Sequence, residues 1–221
     1  LAIRYTGVLS PGECTGYVRG VYAGRAQWSS NFDGLQYTLG RAWYTHLEEE
    51  REDEYFANAA ASDRDVRHFV PGLQERLIGA VSAVTGGFAS RRQGWCGPGV
   101  HVFPARSWVA EHGGEVHLDN EGLSDDQLEA RAPALSLVLM LQPPESGGGL
   151  RVWHRTYDGH TVEFEPPGPP GLAVTVPYGV GDLVVFDSYR LHQIAPFGGP
   201  LDRISATAHT VLTDAGWEVW F

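Results

Sequence analysis

Apolar positions recur at helical spacing through the first third of the chain. Ser10-Pro11-Gly12-Glu13 reads as a capping box, with a Ser N-cap, Pro in the first turn and Glu at the third helical position. Cys14, Tyr17, Val18, Val21 and Tyr22 follow on one stripe, which predicts an amphipathic helix packed on a core. A second helix is expected from about Arg41 to Asn58, with the run Glu48 to Glu54 as a solvated face or loop. A third is expected to begin near Pro71, to carry Leu73, Leu77, Ile78, Val81 and Val84 on one side, and to stop at Gly86-Gly87. On this reading residues 1–90 form a helical buttress.

The period changes near Gly97. Short apolar runs separated by Gly and Pro predict strands at 99–104, 107–111, 115–119, 134–142, 149–157, 160–165, 172–177, 182–187, 190–195 and 203–213. Asp158-Gly159 suits a type I′ turn and predicts a hairpin from Val152 to Phe164. Residues 121–133 and Pro166–Gly171 read as loops. Strands this short and this closely spaced imply an antiparallel sandwich or barrel rather than a parallel sheet. The expectation is mainly β with flanking helices, one domain over 1–221, with 97–221 as its core.

Composition narrows the chemistry. The chain has 221 residues, and 16 basic against 27 acidic groups give a net charge of −11, which argues against nucleic acid or an anionic membrane as partner. Every basic residue except His is Arg, so Schiff-base chemistry and a P-loop lysine are excluded. No apolar run approaches the roughly 20 residues of a membrane span, and no signal peptide pattern opens the chain; the default placement is cytoplasmic. Cys14 and Cys96 form no C-x-x-C and are expected to be reduced core thiols. Nucleophile-elbow and dinucleotide motifs are missing.

His117 and Asp119 form H-x-D near the end of a predicted strand. Residues two apart on a strand share a face, so one imidazole and one carboxylate converge. A second His from a distant strand would complete a two-His, one-carboxylate face suited to non-haem iron(II). His192 is placed for that, after the turn and buried strand Gly181 to Asp187. Eleven residues on, Arg203 shares a strand face with Ser205, and a guanidinium fork beside a hydroxyl makes a carboxylate clamp. Alone, H-x-D is a weak signal and Arg203 reads as a surface charge; their order and spacing together favour a site. His112 beside H-x-D, and Trp153 with Arg155 (or else His154) after Gly147-Gly148-Gly149, are candidates to line a substrate pocket. Trp95 and Trp108 read as core or rim aromatics.

These pieces resemble the iron(II)/2-oxoglutarate-dependent oxygenases, closest in pattern to their prolyl-4-hydroxylase-like branch. The matching stretches are Val8 to Cys14, Gly113-Gly114 before His117-Leu118-Asp119, Leu135 to Leu141 leading into Gly147 to Leu150, Gly181 to Phe186, His192, and Arg203-Ile204-Ser205. The resemblance implies a double-stranded β-helix (jelly-roll) core from about His101 to Leu212. It implies His117, Asp119 and His192 as ligands of Fe(II), with Arg203 and Ser205 on the distal carboxylate of the cosubstrate 2-oxoglutarate. O2 would be consumed, succinate and CO2 released, and ascorbate would serve as an optional reductant. The Tyr that the family often carries on the strand after H-x-D is missing from Leu137 to Leu141, which leaves a second cosubstrate contact unassigned. Halogenases of the family have a small residue where Asp119 stands, so hydroxylation, or a related desaturation or ring closure, is expected rather than halogenation; the expected substrate is a small molecule, an amino acid or natural-product intermediate. Alternatives are a cupin-like isomerase or dioxygenase without 2-oxoglutarate, a hydroxylase of peptide side chains, and a metal-free binding module.

Overall fold

The computed structural model describes residues 2–157, 159, 168, 169 and 171–221. In chain order the first part contains β1 (Ala2–Tyr5), α1 (Pro11–Ala23), β2 (Ser29–Asn31), β3 (Gln36–Leu39), α2 (Trp43–Glu48), α3 (Glu52–Phe69), α4 (Leu73–Thr85) and β4 (Ala89–Arg91). The second part contains β5 (Gly99–Phe103), α5 (Trp108–His112), α6 (Asp125–Glu129), β6 (Ala134–Gln142), β7 (Ser146–Gly147) and β8 (Leu150–Thr156). It ends with β9 (Ala173–Val176), β10 (Leu183–Asp187), β11 (Arg190–Ile194), β12 (Phe197–Gly198), β13 (Arg203–Thr213) and β14 (Gly216–Trp220).

The larger sheet runs β1-β10-β6-β13-β5-β3-β2, antiparallel at each pairing. β14 extends it beside β13, and β4 lies parallel to β14. Facing it is a smaller sheet, β11-β8-β9, with the short pair β12-β7 alongside. The result is a jelly roll flanked by helices. Alternation along the central strands divides the larger sheet into two faces. Leu137, Leu139 and Leu141, Val100 and Val102, Ile204, Ala206 and Ala208 point to one side, where Cys14 and Val21 of α1, Val66 of α3 and Leu73, Leu77 and Val81 of α4 cover them. Ser136 and Val138, His101 and Phe103, and the series Arg203, Ser205, Thr207 and His209 occupy the opposite parity.

Several expectations need correction. The buttress is not purely helical, since β1 to β4 arise within it and three of these strands extend the larger sheet's two ends. The helix expected over 41–58 is two helices: the chain turns at Glu49 to Arg51, with Glu50 at φ +55°, because Glu49 Oε1 accepts from the Phe32 backbone N–H and pairs with Arg51. The charged run therefore clamps the turn at Phe32 rather than only facing solvent. Residues 107–111 form α5, not a strand, capped by Ser107 Oγ, which accepts from Ala110 N at 3.2 Å. Within the expected loop 121–133 lies α6, opened by a capping box between Ser124 and Gln127. The expected strand 115–119 reduces to a bridge at His117. Strand 160–165, and with it the turn of the Val152 to Phe164 hairpin, lies outside the described residues. Both cysteines are buried and free, and no described helix is long and apolar enough to cross a membrane.

Candidate active site

The segment after α5 is drawn onto β11. Gly114 N donates to Ile194 O at 2.9 Å, His117 and His192 exchange backbone hydrogen bonds at 3.0 and 2.9 Å, and Asp119 N donates to Ser188 O at 3.0 Å. Gly113, at φ +90°, permits this approach: a Cβ there would sit 2.7 Å from Ile194 O. The sequence-predicted trio is thereby assembled. Asp119 Oδ1 is 3.5 Å from His117 Nε2, Asp119 Oδ2 is 3.3 Å from His192 Nε2, and one potential ligand atom from each residue lies within 4.8 Å of the others.

Both imidazoles are preset. His117 Nδ1 is 2.9 Å from Glu115 O, and His192 Nδ1 is 2.9 Å from Arg190 O. A carbonyl can only accept, so each Nδ1 carries a hydrogen, and each Nε2 is the ring atom turned to Asp119, free to offer a lone pair once a metal displaces any proton it holds. The site is electrostatically coupled. Burial opposes the charge of His117, but the Asp119 carboxylate outweighs it and raises the imidazole to about 9. Burial likewise opposes the Asp119 charge, yet His192, His209 and His117 hold this carboxyl well below the usual range. Two imidazoles and a carboxylate that favour positive charge in their midst are a suitable donor set for a divalent transition metal.

From the trio a cavity of about 230 Å³ runs between the sheets, lined by both. Val138, Leu150, Phe186 and Ile194 make one apolar wall. Gln36, Tyr44, Glu48, His101, Thr207 and His209 supply hydrogen-bonding groups, and Phe32, Leu35 and Trp108 also line it. Exposure falls from His117, whose side chain is 41% exposed, to Arg203 at 2%. Arg203 Nε donates to Gly148 O and Nη1 to Ser205 Oγ, both at 3.1 Å, and the guanidinium lies 5.6 and 5.3 Å from the ring centres of Phe103 and Tyr178. Among the described residues no carboxylate pairs with it. The glycine run explains itself here: Gly147 and Gly148 adopt φ +71° and +69°, which turns the Gly148 carbonyl to Arg203.

Tyr178, His101, His209 and Tyr44 were not singled out by the sequence; topology alone brings them to the cavity. The Tyr178 hydroxyl is buried beside the Arg203 guanidinium, and burial, opposed by Arg203, raises it to about 12. Burial, then His209 and Arg203, push His101 down to about 3, leaving a neutral imidazole whose Nδ1 lacks a partner. Tyr44 OH accepts from Gln36 Nε2 at 2.6 Å. Trp108, read as core or rim, is half exposed and lines the cavity.

Three substrate candidates fall elsewhere. Trp153 is buried among Val116, Leu118 and Leu191, with Nε1 donating to Pro169 O at 3.1 Å. On β8 it is Leu150 that lines the cavity, so the opposite parity, Trp153 and Arg155, points away; Arg155 is exposed, as is His154. His112 does not line the cavity but stacks on Trp108, ring centres 4.8 Å apart.

No family model and no curated protein matches the sequence. Solved structures match the fold. The epimerase SnoN in complex with Fe3+, alpha ketoglutarate and nogalamycin RO superposes with a TM-score of 0.60 at 15% identity, over 94% of this chain and 77% of that one. An N-substituted L-amino acid dioxygenase from Burkholderia ambifaria AMMD superposes at 0.58 with 15% identity, over 100% and 86%. The chain thus shares the fold of SnoN, a non-haem alpha ketoglutarate-dependent epimerase, and of this dioxygenase.

Proposed function

We propose that the protein is an iron(II)- and 2-oxoglutarate-dependent dioxygenase that hydroxylates a C–H bond of a small molecule, an amino acid or natural-product intermediate. The observation that carries this reading is Arg203. A buried guanidinium with only neutral acceptors is costly unless an anion completes it, and this one shares a cavity with a potential metal trio.

His117 and His192 would hold the metal through Nε2 and Asp119 through its carboxylate. Arg203 and Ser205 would hold the distal carboxylate of 2-oxoglutarate, and the buried Tyr178 hydroxyl beside Arg203 would supply the second contact that the sequence left open. When bound, iron and 2-oxoglutarate supply O2 activation, the oxidising power for an unactivated C–H bond, and succinate and CO2 as coproducts. The chain's own work is placement. The wall of Val138, Leu150, Phe186 and Ile194 keeps water from the cosubstrate, while Phe32, Leu35 and Trp108 receive an apolar substrate body and Gln36, Tyr44 and Glu48 its polar groups.

The test is succinate release from 2-oxoglutarate in protein reconstituted with Fe(II), with and without a panel of small molecules. Asp119→Ala should abolish it, and full turnover in that variant at ordinary iron concentrations would overturn the assignment. The likeness to SnoN favours a second outcome, the same C–H bond remade with inverted configuration. Product mass separates the two, since hydroxylation adds one oxygen atom and epimerisation adds none.

A further inference from the structure

Asp119 is met at its backbone and at its carboxylate by one run of residues, Ser188, Ser136 and His209, that includes no other member of the trio. Its backbone N–H donates to Ser188 O at 3.0 Å. The Ser188 hydroxyl is 2.9 Å from Ser136 Oγ, Ser136 Oγ is 3.3 Å from His209 Nδ1, and His209 Nδ1 returns to the Asp119 carboxylate, 3.7 Å from Oδ2. The strands make this arrangement rigid. Ser136 on β6 is the register partner of both Phe186 on β10 and His209 on β13. Ser136 and Ser188 are almost wholly buried, at 0% and 1% exposure, so the ring is shielded from competing water.

Each hydroxyl in the ring has an alternative partner, because Ser136 and Ser188 can satisfy one another. In the Nδ1–H tautomer His209 can therefore turn its hydrogen to the carboxylate, 3.7 Å away. We infer that His209, braced by Ser136 and Ser188, is a positioning residue that fixes the orientation of the Asp119 carboxylate and so sets the affinity of the trio for a divalent metal. This rests on the reading of the trio as a metal site. His209 lines the cavity without being one of the three residues whose donor atoms converge. The physical ground is general: groups that hold a ligating carboxylate in one orientation spare the metal that ordering cost, and losing them typically weakens binding about 10- to 100-fold.

Two variants separate positioning from packing. His209→Phe keeps a ring of similar size and loses the nitrogen; His209→Asn keeps a hydrogen-bond donor close to the Nδ1 position. Calorimetric titration of Co(II), and of Fe(II) without oxygen, into the metal-free proteins reads affinity directly, and thermal unfolding of the same proteins reads stability. Metal affinity is expected to fall about 10- to 100-fold in His209→Phe and to recover most of that loss in His209→Asn, with 2-oxoglutarate affinity at saturating metal changed less than about threefold in either. Wild-type affinity in His209→Phe would overturn the inference, as would equal losses in the two variants. A wild-type protein that binds neither metal would overturn the reading of the trio itself.

Discussion

Asp63 and Arg203 are both charged and both almost wholly buried, at 1% and 2% exposure, and the chain treats them in opposite ways. Asp63 on α3 is closed off: Gln74 Nε2 donates to it at 2.9 Å, Gly97 N donates at 2.8 Å, and Arg91 forms an ion pair with it. Arg203 receives only a carbonyl, a hydroxyl and two aromatic faces. The first arrangement stitches α3 to α4, to β4 and to the segment before β5; it holds the fold. The second leaves a positive charge in a cavity, which the fold alone does not require. Where the chain supplies the partner of a buried charge the role is structural, and where it withholds one a ligand is called for.

The contrast can be broken most easily at Asp63. Asp63→Ala leaves the buried Gly97 N–H without an acceptor, leaves Gln74 Nε2 only Pro98 O, and strips Arg91 of its partner. A loss of about 2–4 kcal/mol in chemical denaturation is expected, from the buried donors left unsatisfied; a loss below about 1 kcal/mol would erase the distinction. Glu121 sharpens the comparison as a half-buried acid beside another acid. Burial first, then Asp119, raises it from 4.5 to about 7. Its folded value lies above the unfolded one, so the native state binds the proton more tightly, and stability is lost as pH climbs from about 4.5 to about 7. Metal-free Glu121→Gln should therefore match wild type near pH 4 and exceed it near pH 8, by at most about 3 kcal/mol. Thermal unfolding across that range checks the sign, and a gap that widens toward acid would contradict it.

Gly147→Ala probes the cradle around Arg203. An added Cβ would lie 2.2 Å from Pro196 O at a φ of +71°, so a loss of about 1–3 kcal/mol is expected in denaturation, together with weaker 2-oxoglutarate binding. The smallest effect belongs to Arg203→Met. Exchange of a buried charge for an apolar chain of similar length should leave unfolding within about 1 kcal/mol of wild type, or stabilise the protein. A loss of several kcal/mol would make Arg203 a structural residue like Asp63.

The β-core was legible because its strands are apolar on at least one face: 134–142 and 203–213 match β6 and β13 to the residue. β2 and β3 were not, since Asn31, Gln36 and Thr38 are buried polar groups near or in the cavity, which hides the alternation that marks a strand. Trp108-Val109-Ala110 was ambiguous as a short apolar run, although Ser107 already signalled a helix cap. His117 with Asp119 and Arg203 with Ser205 could be read because the residues of each pair stand two apart in sequence, and His192 because it falls between them in the order the resemblance requires. Tyr178, His101 and His209 are isolated in sequence and meet the trio only through pairing of distant strands. On β8 alternation alone could not choose between Trp153 with Arg155 and His154; none of the three lines the cavity, and a side cluster with Val116 and Leu118 buries Trp153.

The central claim is that Arg203 waits for a carboxylate, and a calorimetric titration of 2-oxoglutarate into metal-loaded Arg203→Ala tests it most directly. Loss of a charge-assisted, desolvated contact costs about 2–5 kcal/mol, or roughly 30- to several-thousand-fold in affinity at ~1.4 kcal/mol per decade. Arg203→Lys, which keeps the charge and loses the fork, should fall between the variant and wild type, with metal binding intact in both. An unchanged 2-oxoglutarate affinity in Arg203→Ala would contradict the account.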